Sequence, residues 1–439
     1  MQDRSEIPGE RVGDRHDRPD PAVNGTDTNT GTSTNTGTDT TALRDELIDL
    51  GLRSGLATLG VCDAKPFLQT RQVLLERRDL GLNGDMQFTY RNPERSTDPA
   101  RALRNARSMI VAAYRYDTEL RPAPVIGTQG RVARYATSDH YDRLRSGLRL
   151  IASRLKELGH RAVVVCDDNA MVDRAVAVRA GLGFYGKSAN VLLPGQGSWF
   201  VLGSVITDVE FQATGSAIAD GCGTCTRCLD GCPTSAIIAP GVVDARRCLS
   251  WLIQAPGDFP REFRRALGNR IYGCDDCQEV CPPSRRADRL QIGTRPPEAP
   301  PADPTRDPGP GVEPEPGPAS ASEPRSGSEA WVDVEWILTA NDDELLDSLG
   351  RWYIAKRDPN YLRRNALVVY GNSAGTHSSE QVESVLGQYL DGPDDMLAAH
   401  AAWAALNLGN RDVLNGRLDR PAIATELAHY DDDVENLDR

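Results

Sequence analysis

The chain has 439 residues, room for two or three domains with cores of their own. Its formal charge of −13 and pI of about 5.1 argue against bulk attraction to nucleic acid. No apolar run is long enough to span a bilayer, so a soluble, cytoplasmic protein is expected.

Residues 1–41 are polar and rich in Thr, Gly, Asn and Asp, and are expected to be disordered. The folded body follows at 42–285. Thr40 or Thr41 is placed to cap a helix through LRDELIDLGLRSG that ends near Gly55. Residues 108–116 read as a buried strand. Residues 139–159 show helical periodicity, with Leu144, Leu148, Ile151, Leu155 and Leu158 on one side and Gly159 as the stop. RAVVVC (161–166) reads as a second buried strand and 198–208 as a further one. The alternation predicts an α/β domain over 42–211.

Two carboxylates, Asp167 and Asp168, follow the 161–166 strand, where α/β folds gather ligands. One could serve as an acid if burial raises its pKa; Asp168 or Asn169 could equally cap the helix that follows. Gly181, Gly183 and Gly186 resemble G-x-G-x-x-G, but they close a helix instead of joining strand to helix. They read as close backbone approach to a bulky ligand or to another strand.

Eight of the ten cysteines fall at 212–285. Cys222, Cys225, Cys228 and Cys232 have the C-x2-C-x2-C-x3-C-P spacing of bacterial ferredoxins, in which three thiolates hold one 4Fe–4S cube and the fourth reaches the other. Cys274, Cys277 and Cys281 form a second run ending in proline. Cluster 1 is then expected on Cys222, Cys225, Cys228 and Cys281. Cluster 2 is expected on Cys232, Cys274, Cys277 and, by elimination, Cys248. A zinc ribbon is the alternative, but it leaves the third cysteine of each run unexplained. Cys62 and Cys166, in apolar stretches, read as small core residues.

Residues 286–328, rich in Pro, Glu, Ser and Gly, read as a disordered linker. Residues 329–415 contain short amphipathic helices, and the surroundings of Leu362–Ala366 recur at His400–Ala404. This suggests a HEAT-like helical module, with a generic helical bundle as the alternative, ahead of an acidic tail at 416–439. Three basic runs stand out against the acidic average: Arg143 to Lys156, Arg261 to Arg270, and Arg351 to Arg364. They suggest local phosphate contact.

DRAVAVRAGLGFYGK, GSWFVLG, CGTCTRCLDGCPTSAI, DARRCLSWL and GNRIYGCDDCQEVCP, in that order, resemble the epoxyqueuosine reductases over about 100–285 and, more loosely, the helical tail. The resemblance implies a cobalamin-binding α/β domain, a ferredoxin-like domain with two 4Fe–4S clusters, and a helical-repeat part that helps hold tRNA. It implies reduction of the epoxide of epoxyqueuosine at the tRNA wobble position, with Asp167 as the acid. It also implies cobalamin contacts from Arg134, Asp167, Lys187 and Ser250, an external electron donor, and a monomer. Two departures fall in that pocket: Ser188 follows Gly186-Lys187 where the family has Asn, and Asp139 and His140 look exchanged relative to the family series. A corrinoid reductase of a small halogenated molecule and a plain two-cluster electron carrier are the competing readings. The first is typically exported behind a twin-arginine signal, and the second leaves the 160–205 segment unused.

Overall fold

The computed structural model describes residues 36–116, 123–124, 127–291, 330–373 and 377–437. The expected tail at 1–35 and most of the expected linker lie outside them. Among the described residues the strands are β1 (Thr58–Asp63), β2 (Ser108–Arg115), β3 (Gln129–Val132), β4 (Ala162–Val165), β5 (Phe184–Tyr185), β6 (Val191–Leu192), β7 (Phe200–Thr207), β8 (Ile237–Ala239), β9 (Val242–Val243), β10 (Arg270–Tyr272) and β11 (Trp331–Asp333).

The first sheet has the order β1-β2-β7-β4. Its side chains alternate with period two. Ile110 and Val205 face the Thr36–Arg53 and His140–Glu157 helices, whereas Met109 and Ile206 face the Asp173–Arg179 helix. Helices thus cover both faces. Every neighbouring pair is nonetheless antiparallel, because β7 inserts between β2 and β4. The strand–helix–strand alternation pointed to an α/β domain but not to this pairing, because a later strand entering between two earlier ones is invisible to local pattern.

The periodic helix runs His140–Glu157. Asp139 caps it, accepting the Asp142 N–H at 2.8 Å. Leu144, Leu148, Ile151 and Leu155 are fully buried, but Leu158 lies past the last turn and is exposed. The first helix begins at Thr36, so Thr40 and Thr41 lie inside it and cap nothing. The Asp173–Arg179 helix also departs from expectation. It starts at Asp173, and Asp168 makes a local turn instead, accepting the Ala170 N–H at 2.6 Å.

A second sheet, β10-β3-β11, takes one strand from the α/β part, one from the cysteine-rich part and one from the entry to the C-terminal helices. The residues expected to open the linker continue the Pro282–Gln291 helix. Beyond β11 come the helices Val334–Thr339, Asp342–Leu349, Asn360–Gly371, Ser379–Leu390, Asp395–Asn407 and Pro421–Leu437; Asn360–Gly371 packs on Val334–Thr339 and Asp395–Asn407, and Asp395–Asn407 packs on Ser379–Leu390 and Pro421–Leu437. The last of these occupies the segment read as an acidic tail. Its Ile423 is fully buried, and Glu426 forms ion pairs with Arg264 at 2.9 Å and with Arg261.

Glu426 and Arg264 are both buried, so removing one strands the other. Glu426→Ala is expected to destabilise this end of the molecule by roughly 3 kcal/mol. Faster hydrogen exchange confined to the Asp395–Asn407 and Pro421–Leu437 helices would report it. Exchange unchanged from wild type would show the pair to be worth little.

Candidate active site and thiol clusters

Asp167 leaves the end of β4 with φ of 52°, a left-handed conformation uncommon for a residue with a side chain. Its N–H donates to Asp173 Oδ2 at 3.1 Å, which ties the loop to the first turn of the next helix. The Asp167 residue keeps solvent-exposed surface. Burial pushes its carboxyl above the usual range, as does Asp168, against the pull of Arg145 and Arg174. Asp173 is raised further, chiefly by burial, with its backbone bond to Asp167 acting the other way. Tyr141, Tyr135 and Tyr272 are raised chiefly by burial and, in lesser part, by the Asp167 charge. Trp352 stacks on Tyr272 at 4.5 Å, which brings the helical part to that ring.

Asp173→Ala would free the Asp167 N–H, whereas Asp173→Asn keeps an acceptor oxygen. Hydrogen exchange across 166–172 should rise in the alanine variant and rise less in the asparagine variant. Equal exchange in both would discount the latch.

The eight cysteines are free and partly exposed. Burial raises Cys228, and Cys281, Cys222 and Cys225 raise it further. Cys222 likewise faces Cys281, and Cys281 faces Cys225. In the other group Cys277 is raised by burial and then by Cys248, with Cys232 close by, and Cys274 also faces Cys248. Cys228 reaches Cys277 across the gap between the two groups. Among the described residues no three His, Cys, Asp or Glu side chains gather tightly enough for a single ion. That is a different demand from a cube whose thiolates bind separate corners.

The loops are held by backbone and side-chain bonds. Lys187 Nζ donates to Gly223 O at 2.7 Å and Cys225 O at 3.0 Å. Gln278 Nε2 donates to Ser198 O at 3.1 Å and Tyr116 Oη at 3.2 Å. Asn190 donates to Cys277 Sγ at 3.7 Å. Gly273, at φ 71°, lets the chain enter Cys274 against Tyr135 and Ala133; a Cβ there would come within 2.5 Å of Ala133 Cβ.

The four residues expected to hold cobalamin make the following contacts of their own. Arg134 is buried over the Trp199 ring at 4.1 Å and pairs with Asp288 at 3.0 Å; its own N–H donates to Asp275 Oδ2 at 2.7 Å. Lys187 serves the Cys222–Cys228 loop. The N–H groups of Trp251 and Ser250 hold down the Cys248 thiol, which burial raises. Sequence reasoning missed Tyr135, Tyr141, Tyr272 and Arg174; Tyr135 stands next to the Arg134 that the motif singled out. Gly183 makes a close approach to β6, where a Cβ would meet Leu192 O at 2.5 Å, so this glycine serves strand packing. The basic runs are largely consumed internally: Arg154 pairs with Glu46, Arg270 with Asp276 and Arg363 with Asp342.

Residues 221–284 match the 4Fe-4S double cluster binding domain family. An epoxyqueuosine reductase of Bacillus anthracis is 30% identical over 379 residues, which cover 84% of this chain and 90% of that protein. The chain belongs to the epoxyqueuosine reductase family. A crystal structure of epoxyqueuosine reductase with an epoxyqueuosine-modified tRNA-Tyr stem loop is 26% identical, covers 88% of this chain and 97% of its own, and superposes with a TM-score of 0.71. A Bacillus subtilis epoxyqueuosine reductase, solved with its catalytic aspartate loop swung out of the active site, matches at 27% identity, the same coverage and the same TM-score. No helix among the described residues of this family member is long and apolar enough to cross a membrane.

Proposed function

We propose that this chain reduces epoxyqueuosine in tRNA to queuosine, with Asp167 as proton donor, two 4Fe–4S clusters as the electron path and cobalamin as the reacting cofactor. One observation carries the reading. Asp167, latched by its N–H to the first turn of the Asp173–Arg179 helix, has its carboxyl raised chiefly by burial, with Arg145 and Arg174 acting on it in the opposite sense.

The eight thiols suit two cubes: Cys228 is influenced by Cys281, Cys222 and Cys225, and Cys277 first by Cys248, with Cys232 and Cys228 following. The aromatic and polar side chains whose titration Asp167 influences, Tyr135, Tyr141 and Tyr272, suit a corrinoid neighbour, whereas His140 packs on Tyr116 at 5.4 Å and His400 is bonded to Met396 O and the Phe259 N–H. Bound there, cobalamin would supply a strongly reduced centre able to attack carbon.

Conversion of an epoxide to an alkene takes up two electrons and two protons and releases water. Asp167, its pKa raised by burial, is suited to deliver a proton to the departing oxygen. Arg145 and Arg174 then stabilise the carboxylate that remains. Arg351, Tyr353, Lys356 and Arg357 are exposed, and the Tyr353 N–H donates to Tyr272 Oη, a basic and aromatic surface suited to an RNA loop. HEAT-like packing of the C-terminal helices suits a partner of that size.

The test is anaerobic purification with cobalamin supplied, metal analysis, and an assay on tRNA carrying epoxyqueuosine. About eight irons and one cobalt per chain, with conversion of the modified tRNA, are expected. Iron without cobalt would remove cobalamin from the scheme and return the electron carrier as the better reading.

A further inference from the structure

We propose that Arg364, on the C-terminal helices, is a positioning residue for Cys248, fixing that thiolate on the second cluster and favouring the cluster's reduced state. The inference rests on the two-cluster reading and goes beyond it, because it gives the helical part a role in electron transfer.

Cys248 is the one cluster cysteine outside the two runs. Its neighbours in sequence supply no second ligand to fix it, so its backbone must be held from elsewhere. It stands at the N-terminus of the short Leu249–Leu252 helix, where Cys248 O accepts the N–H groups of Trp251 and Leu252, each at 2.9 Å. One turn further on, the helix presents its unpaired carbonyls. Arg364 takes them. Its Nη2 donates to Leu252 O at 3.1 Å and Ile253 O at 3.0 Å, and its Nη1 to Ala255 O at 2.7 Å and Gly257 O at 2.5 Å.

Arg364 is fully buried, and none of its hydrogen-bond partners is a carboxylate. Asn365 Oδ1 braces it at 2.8 Å, and Asn365 Nδ2 donates in turn to Ile253 O at 2.9 Å. The rings of Tyr361 and Phe259 lie 5.3 and 5.9 Å from the guanidinium. Asp258, the nearest acid that influences it, is exposed. A buried charge with no counter-ion is costly to keep, and a carbonyl-binding role alone could be met by a neutral amide. The guanidinium binds the carbonyls of the residues four and five positions after a cluster ligand. Reduction adds negative charge to the cluster, so a nearby cation stabilises the reduced form.

The experiment uses the full chain, reconstituted anaerobically as wild type, Arg364→Met, Arg364→Lys and Asn365→Ala. Iron and sulfide content, the EPR of each reduced cluster and their midpoint potentials are measured. Arg364→Met should lose up to roughly half of its iron. Whatever second cluster remains should titrate at a more negative potential, with the first cluster's signal and potential unchanged as an internal control of folding. Arg364→Lys, which keeps the charge without the planar fork, should restore the potential but only part of the iron. Asn365→Ala should shift the potential in the same direction by less, and it carries the test should the methionine variant not fold. A methionine variant with both clusters at wild-type potential overturns the proposal. So does iron loss with no change of potential that lysine fails to repair. Wild type lacking a second cluster would instead defeat the two-cluster reading itself.

Discussion

Asp167→Asn is expected to lower kcat on epoxyqueuosine-containing tRNA by about 10²–10⁴-fold. The asparagine preserves size and the local turn but has no proton to give. Iron content and tRNA affinity should stay at wild-type levels, because Asp167 holds neither cluster. The pH dependence carries a sign. Burial and Asp168 raise the Asp167 pKa, so its acid form persists above the ordinary carboxylate range. Activity is then full below that raised pKa and falls as pH rises through it. The groups that influence this carboxyl or are influenced by it are Arg145 from the His140–Glu157 helix, Arg174 and Asp173 from the next helix, Asp168, and the three phenols Tyr135, Tyr141 and Tyr272. Asp167→Glu should keep the falling limb at reduced rate, and Asp167→Asn should flatten what activity remains. An asparagine variant with wild-type turnover would rule this side chain out as the acid.

Cys281→Ala should eliminate the same cluster signal as Cys225→Ala, not the signal lost in Cys277→Ala. The reason is the crossover: Cys281 follows Cys277 in sequence, but its thiol faces Cys225 and raises Cys228, whereas Cys277 faces Cys248 and Cys232. Each single substitution is expected to remove roughly half of the iron or leave a three-iron remnant, because a cube needs four thiolates. EPR of the reduced variants distinguishes the two groups. Loss of one common signal in both Cys281→Ala and Cys277→Ala would mean that each run serves its own cluster.

Much of this site could be read from the chain because its signals are local. A thiolate spacing with prolines behind it declares its chemistry within a dozen residues, and the position of Asp167 follows from its offset to the Asp173-Arg174-Ala175 motif. The pairing in the first sheet could not be read, since β7 enters between β2 and β4 from far along the chain. Arg134 and Lys187 show a second limit. Motif residues near a site can be spent on structure: Arg134 on Trp199 and Asp288, Lys187 on two carbonyls of a cysteine loop. The tyrosines that the Asp167 charge influences carry no spacing of their own, and they meet only through tertiary contact. The C-terminal helix was hidden by its acidic composition. Ile423 and Glu426 are the residues that anchor it, and two positions in a charged stretch form no visible stripe.

The order of strands in the second sheet has a consequence for synthesis. Its central strand, β3, is made first, and both of its neighbours come later, at Arg270–Tyr272 and Trp331–Asp333. At ribosomal rates of about 5–20 residues per second, the second edge of β3 stays open for roughly 10–40 s after the strand emerges. All ten cysteines precede that closing strand. A nascent chain therefore presents every cluster ligand while its middle is still unsealed. The last strand acts as a closure that follows the arrival of the metal ligands, and conditions that slow elongation between residues 132 and 331 prolong the interval in which an open strand edge can pair with another chain.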